Sequence, residues 1–130
     1  MRRQRGFTLI ETTVAVALLA VIVVTILSAF SAITLAARRH QQETTLDLVT
    51  RQDAEFIKSQ VYSASPTPYT NIAVGGYSFS YQALYYDPTQ VSPAPQFSAA
   101  YSDNGLQELV LSVTGPNNTT ETLDFLKVQP

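Results

Sequence analysis

Cysteine is missing altogether from the 130 residues. No disulfide or thiolate metal site can form, and cysteine usage says nothing about the redox state of the compartment. Proline is missing from the first half. All seven prolines lie at or after Pro66, and Gly6 is the only glycine before Gly75. Charge is missing from the 26 positions between Thr12 and Ala37. Basic charge is scarce elsewhere: Arg2, Arg3 and Arg5 hold three of the eight basic residues, and beyond them five basic residues face ten acidic ones, a balance of about −5. Such a surface repels phosphate, which argues against nucleic acid as a partner. No phosphate-binding loop, paired carboxylates or activated nucleophile stands out, so nothing in the chain points to an enzyme or to a bound cofactor. The length suits one small domain at most.

What is there begins with the uncharged stretch "VAVALLAVIVVTILSAFSAITLAA". With Thr12 and Thr13 it makes about 39 Å of helix, where a bilayer core needs roughly 20 residues. It exceeds the core of an ordinary secretory signal, about 7–15 residues. Three arginines in front and Arg38 and Arg39 behind give a slight bias toward an N-terminus inside. Past the span, "RRHQQETTLDLVTRQDAEFIKSQVYSAS" carries no breaker before Pro66. Leu46, Val49, Ala54, Ile57 and Val61 recur at helical spacing, with Leu48 and Phe56 widening the stripe. Asp47 and Arg51 stand four apart in the favourable order. One helix from Phe7 to about Tyr62 is expected, apolar all round in its first half and on one face in its second.

That one-sided face needs a cover, and residues 64–130 are expected to supply it. "YSFSYQALYY" alternates Tyr77, Phe79, Tyr81, Ala83 and Tyr85 on one side. "DPTQVSPAPQ" reads as a loop. "LQELVLSVT" places Leu109, Leu111 and Val113 on one face, "GPNN" is a turn, and "TETLDFLKV" returns with Leu123, Phe125 and Lys127 on alternate positions. The fold class is therefore α+β: a long N-terminal helix laid on an antiparallel sheet of three or four strands. The segments are a basic leader 1–6, a transmembrane helix half 7–37, an amphipathic half 38–63 and a sheet-rich head 64–130.

One acid stands against this pattern. Glu11 lies at the front of the span, where a carboxylate at depth costs about 2.5–3.5 kcal/mol at the helix centre. An intramembrane charge is a functional hypothesis whose partner should be named, yet no basic residue lies between Glu11 and Arg38. The run Gly6-Phe7-Thr8-Leu9-Ile10-Glu11, behind a short basic leader and before a long apolar helix, resembles the N-terminal signal of type IV pilins and type II secretion pseudopilins. The resemblance covers about residues 2–40; for the head it is one of architecture only. It implies cleavage after Gly6 by a membrane-embedded prepilin peptidase, N-methylation of the new N-terminus Phe7 by the same enzyme, and pairing of Glu11 with the Phe7 amine of a neighbouring subunit. A single buried polar pair is a recognised device for fixing register. The implied partners are that peptidase/methylase, other pilin or pseudopilin subunits, an inner-membrane assembly platform and the lipid bilayer. The implied location is the inner membrane, single-pass, with the head outside. The chain departs from many major pilins in having Ser28 where they have a helix proline, and in lacking the C-terminal disulfide, which tilts the reading toward a minor subunit.

Other residues carry less. His40, the sole histidine, has no catalytic partner pattern and is read as a headgroup-level side chain. Asp103-Asn104-Gly105 with Glu108 is first a turn, and its spacing fits no calcium loop; no metal site is assigned. Asn117 to Thr120 contains overlapping glycosylation sequons, for which a turn is explanation enough. The alternative to a filament subunit is a membrane-anchored binding module with a tyrosine-rich head, which would need an anchor but neither Gly6-Phe7 nor Glu11. A competence pseudopilin shares the same front end.

Overall fold

The structure is a computed structural model and describes residues 8–64 and 69–130. The leader, Gly6, Phe7 and residues 65–68 lie outside them. A single helix, α1, runs Leu9–Ser59. Its sequence holds no proline or glycine, so nothing interrupts the backbone ladder. From Thr8 to Thr45 every residue is exposed. This part of α1 is long and apolar enough to cross a membrane, and a helix satisfies its own backbone there. Thr25, Ser28, Ser31 and Thr34 return their hydroxyls to the carbonyls of Ile22, Val24, Leu27 and Phe30 at 2.8, 2.9, 3.0 and 2.9 Å. Their polarity is thereby hidden within the helix.

The chain divides into two compact units, the first through Gln42 and the second Glu43–Pro130. In the second, α1 buries Leu46, Val49, Thr50, Asp53, Ala54 and Ile57. These steps of three and one trace a single stripe on a 3.6-residue helix. The expected stripe holds at Leu46, Val49, Ala54 and Ile57 and fails at three places. Val61 is 87% exposed, Leu48 62% and Phe56 41%. Helix α1 stops before Val61, and Leu48 and Phe56 lie off the stripe. Their places are taken by two polar residues. Thr50 donates to the Leu46 carbonyl at 2.8 Å. Asp53 accepts from the Asn71 side chain and the Ile72 amide, both at 2.7 Å.

Four strands follow: β1 Ser78–Tyr86, β2 Phe97–Ser98, β3 Leu106–Thr114 and β4 Thr120–Val128. They form one antiparallel sheet in the order β2-β1-β3-β4. The β3–β4 turn is the expected Gly115–Asn118, with Asn118 at φ 60°, a conformation asparagine tolerates. The short β2 brings the sheet to four strands, within the three or four expected, at a place the sequence does not mark; it pairs Phe97 with Tyr86 and Ser98 with Tyr85.

Register fixes the inner face as cross-strand rows. Phe79, Val113 and Glu121 form the first; Tyr81, Leu111 and Leu123 the second; Ala83, Leu109 and Phe125 the third; Tyr85, Gln107 and Lys127 the last. Leu109, Leu111 and Val113 are wholly buried beside Ile57, and burying one such side chain contributes about 1.5–3 kcal/mol. The middle rows are apolar, and each outer row carries a polar or charged residue. Glu121 lies beside Asp47, and Lys127 reaches Ile57, so β4 runs in the same direction as the last third of α1.

Candidate functional site

The N-terminal candidate is built on the first turn of α1. Thr8 precedes the helix, and its hydroxyl accepts the Glu11 amide at 3.3 Å. Its carbonyl accepts the Thr12 amide at 3.1 Å. Thr8 is therefore the N-cap, satisfying an amide that a helix start leaves without an intrahelical partner. Glu11 stands at the third helical position, where a carboxylate is favoured by the helix dipole. Thr8-x-x-Glu11 is the sequence form of a capping box, a signal the family reading passed over. Glu11 is exposed, and Arg38, the next basic residue along α1, lies about 40 Å away along the axis. On one face of this end, Leu9, Thr12, Thr13, Val16, Ala17 and Ala20 line a shallow groove. Small residues there allow another backbone to approach closely. Gly6 and Phe7 fall outside the described residues.

The head candidates resolve differently. Tyr77, Phe79 and Tyr81 pack against the core. The alternating aromatic set thus turns inward, leaving Tyr86 on the other face with its ring 5.4 Å from that of Phe97. Both carboxylate oxygens of Asp103 are engaged. One accepts from the Tyr62 hydroxyl and, at 3.0 Å, from the Gly105 amide; the other accepts from Gln107 Nε2 at 2.7 Å. Asp103 therefore closes a turn and anchors Gln107. Among the described residues no three His, Cys, Asp or Glu side chains gather as metal ligands would. Asp87 folds back on Thr89 and Gln90 at 2.7–2.9 Å, and these bonds hold its carboxyl below the usual range. His40 lies on the exposed part of α1.

Two polar layers were not anticipated. At one end of the sheet, Tyr62, Asp103, Gln107, Tyr69 and Ser63 form a hydrogen-bonded chain. Tyr69 donates to Gln107 Oε1 at 2.9 Å, and Gln107 Nε2 also donates to the Ser63 carbonyl at 3.0 Å. Burial, then the Asp103 carboxylate, push the Tyr62 hydroxyl well above its ordinary value. At the other end, burial and then the Asp47 carboxyl raise Glu121, whereas the hydrogen bond from Arg51 lowers Asp47. Arg51 Nε meets both Asp47 oxygens, at 2.9 and 3.0 Å, the i, i+4 pair expected from the sequence.

Residues 1–27 match the family described as the prokaryotic N-terminal methylation motif. The chain carries a prepilin-type methylation motif on a pilin-like fold. Comparison with curated proteins and with solved structures finds no match. The motif spans the leader, the Thr8 cap, Glu11 and the front of the apolar helix. It is typical of type IV pilins and pseudopilins, which are structural proteins.

Proposed function

We propose that this chain is a structural subunit of a type IV pilus or a type II secretion pseudopilus. Prepilin peptidase cuts after Gly6, Phe7 becomes the N-methylated terminus, and the subunit assembles through its N-terminal helix. Glu11 meets the Phe7 amine of a neighbour, so the cut creates the partner that the carboxylate needs, and assembly waits on processing. Before assembly the subunit sits in the inner membrane with its N-terminus inside and its head outside. Its partners are the peptidase/methylase, other pilin-like subunits and the assembly platform. The absence of cysteine and of a proline in the apolar half of α1 favours a minor subunit.

The observation that carries this reading is the methylation motif continuous with a helix long and apolar enough to cross a membrane. The inward-facing aromatics give the alternative of a binding module with a tyrosine-rich head no support. Intact-mass and N-terminal peptide analysis of the membrane-extracted protein tests it. The expected chain begins at an N-methylated Phe7. A mature chain that keeps Arg2, Arg3 and Arg5, or that begins beyond Ala37, would overturn the proposal.

A further inference from the structure

Helix α1 ends at Ser59 with no proline or glycine to stop it. The last carbonyls of a helix have no intrahelical donors and must be satisfied from elsewhere. Locally, the Ser59 hydroxyl donates to the Phe56 carbonyl at 2.7 Å and the Gln60 amide to that of Ile57 at 3.2 Å; the donor from outside is the ammonium of Lys127, near the other end of the chain. Its Nζ donates to the carbonyls of Ile57, Lys58 and Gln60 at 2.9, 3.0 and 2.6 Å. An ammonium has three protons, and all three are placed. The residue is 7% exposed, and its Nζ lies 5.0 Å from the centre of the Tyr69 ring. A cation also complements the negative end of the helix dipole. Burial lowers the Lys127 pKa, as expected for an ammonium out of water.

The segment that follows is held by polar bonds rather than by apolar packing. Gln60 clasps Thr70, donating to its carbonyl at 2.6 Å and accepting its amide at 3.0 Å. Ser63 is bonded to Tyr69 and Gln107, while Val61 points into solvent. Regions with few buried apolar contacts open first, whereas β1 and β3 hold the core rows.

We propose that Lys127 is a latch: its ammonium terminates α1, and the junction from Lys58 to Ser63 opens as a local unit when that ammonium withdraws, with the sheet and the buried Ile57 side chain intact. The inference does not depend on the processing reading.

The chain supplies its own control, since Lys58 and Lys127 are its only lysines and the Lys58 side chain is 42% exposed. The test is timed acetylation of the full chain in detergent with an amine-reactive ester. Labelling at the two sites is read by mass spectrometry and tyrosine fluorescence is followed in parallel across a urea series. Lys127 is expected to react at least about tenfold more slowly than Lys58 without urea. It is expected to become reactive at urea concentrations below the fluorescence midpoint. Hydrogen exchange on Lys127→Met is expected to quicken at residues 58–63 and to stay unchanged in β1 and β3, with Lys127→Arg restoring part of the protection. Equal labelling of the two lysines, or exposure of Lys127 only together with the fluorescence change, would overturn the latch. So would exchange in Lys127→Met that is unchanged or that quickens uniformly. If Lys127→Met does not fold, the labelling of the unaltered chain decides.

Discussion

Replacing Asp53 with alanine removes a fully buried carboxylate from the helix–head contact. Its two hydrogen bonds, to the Asn71 amide group and the Ile72 backbone N–H, are both 2.7 Å. Bonds to a charged group contribute about 1.5–3 kcal/mol each. Asn71 is half-buried and can turn toward water, so the full loss falls on the Ile72 amide, with a smaller share from Asn71. The sum is about 2–4 kcal/mol, and alanine's better helix propensity returns about 0.5 kcal/mol. A net loss of about 1.5–3.5 kcal/mol lowers the melting temperature of a unit this size by about 6–28 °C. Asp53→Asn is expected to lose much less. The carbonyl oxygen of the substituted amide can still accept the Ile72 N–H, and its NH₂ group can donate to a flipped Asn71. The assay is tyrosine fluorescence during heating in detergent. All seven tyrosines lie at or after Tyr62 and there is no tryptophan, so the signal reports the head and ignores the membrane half of α1. A shift below about 3 °C for Asp53→Ala, or an equal loss for Asp53→Asn, would refute the reasoning.

Three further outcomes are expected. A fragment of residues 64–130 gives no cooperative thermal transition, because Leu46, Val49, Ala54 and Ile57 supply one wall of its core, whereas 43–130 gives one; calorimetry of the two fragments decides. Glu11→Val leaves membrane insertion and cleavage intact but removes the subunit from filaments or their initiation complexes, as read by immunoblot of sheared and membrane fractions; normal incorporation would remove the pairing claim. Tyr62 keeps its proton in the folded state beyond its ordinary value of 10.0, so the folded chain holds more protons than the unfolded chain there, and stability falls as pH rises past that value. Tyr62→Phe is expected to flatten that fall in melting temperature between about pH 9.5 and 11, and an unchanged slope would remove the role given to the hydroxyl.

Much of the fold was legible because burial imposes period. The alternation in Tyr77–Tyr85, Leu109–Val113 and Leu123–Lys127 marks the inner face of a sheet, and each of these strands forms as the alternation requires. Helical spacing likewise revealed Leu46, Val49, Ala54 and Ile57. Where the stripe went wrong, the reason was chemistry that apolarity does not register. Thr50 and Asp53 occupy core positions because their polar atoms find partners 2.7–2.8 Å away, on Leu46, Asn71 and Ile72. Those partners could not be foreseen without the fold. Val61 reads as a stripe residue when Pro66 is the nearest visible helix stop, whereas the actual stop is a lysine near the far end of the sequence. The N-terminal candidate was legible as a motif, and its Thr8 cap was readable from the spacing to Glu11 alone.

The arrangement of the inner face, greasy in the middle and charged at its rims, has a consequence for how the strands align. Sliding β4 along β3 by one pleat repeat keeps the same faces inward. In one direction it sets Glu121 against Leu111, and in the other it sets Lys127 against Leu109. Either error strands an ion among aliphatic groups, an arrangement that costs several kcal/mol, and pulls the Lys127 ammonium away from its three carbonyls. Misalignment is thus penalised twice, and a head without a single sulfur–sulfur bond can still proofread its own strand pairing.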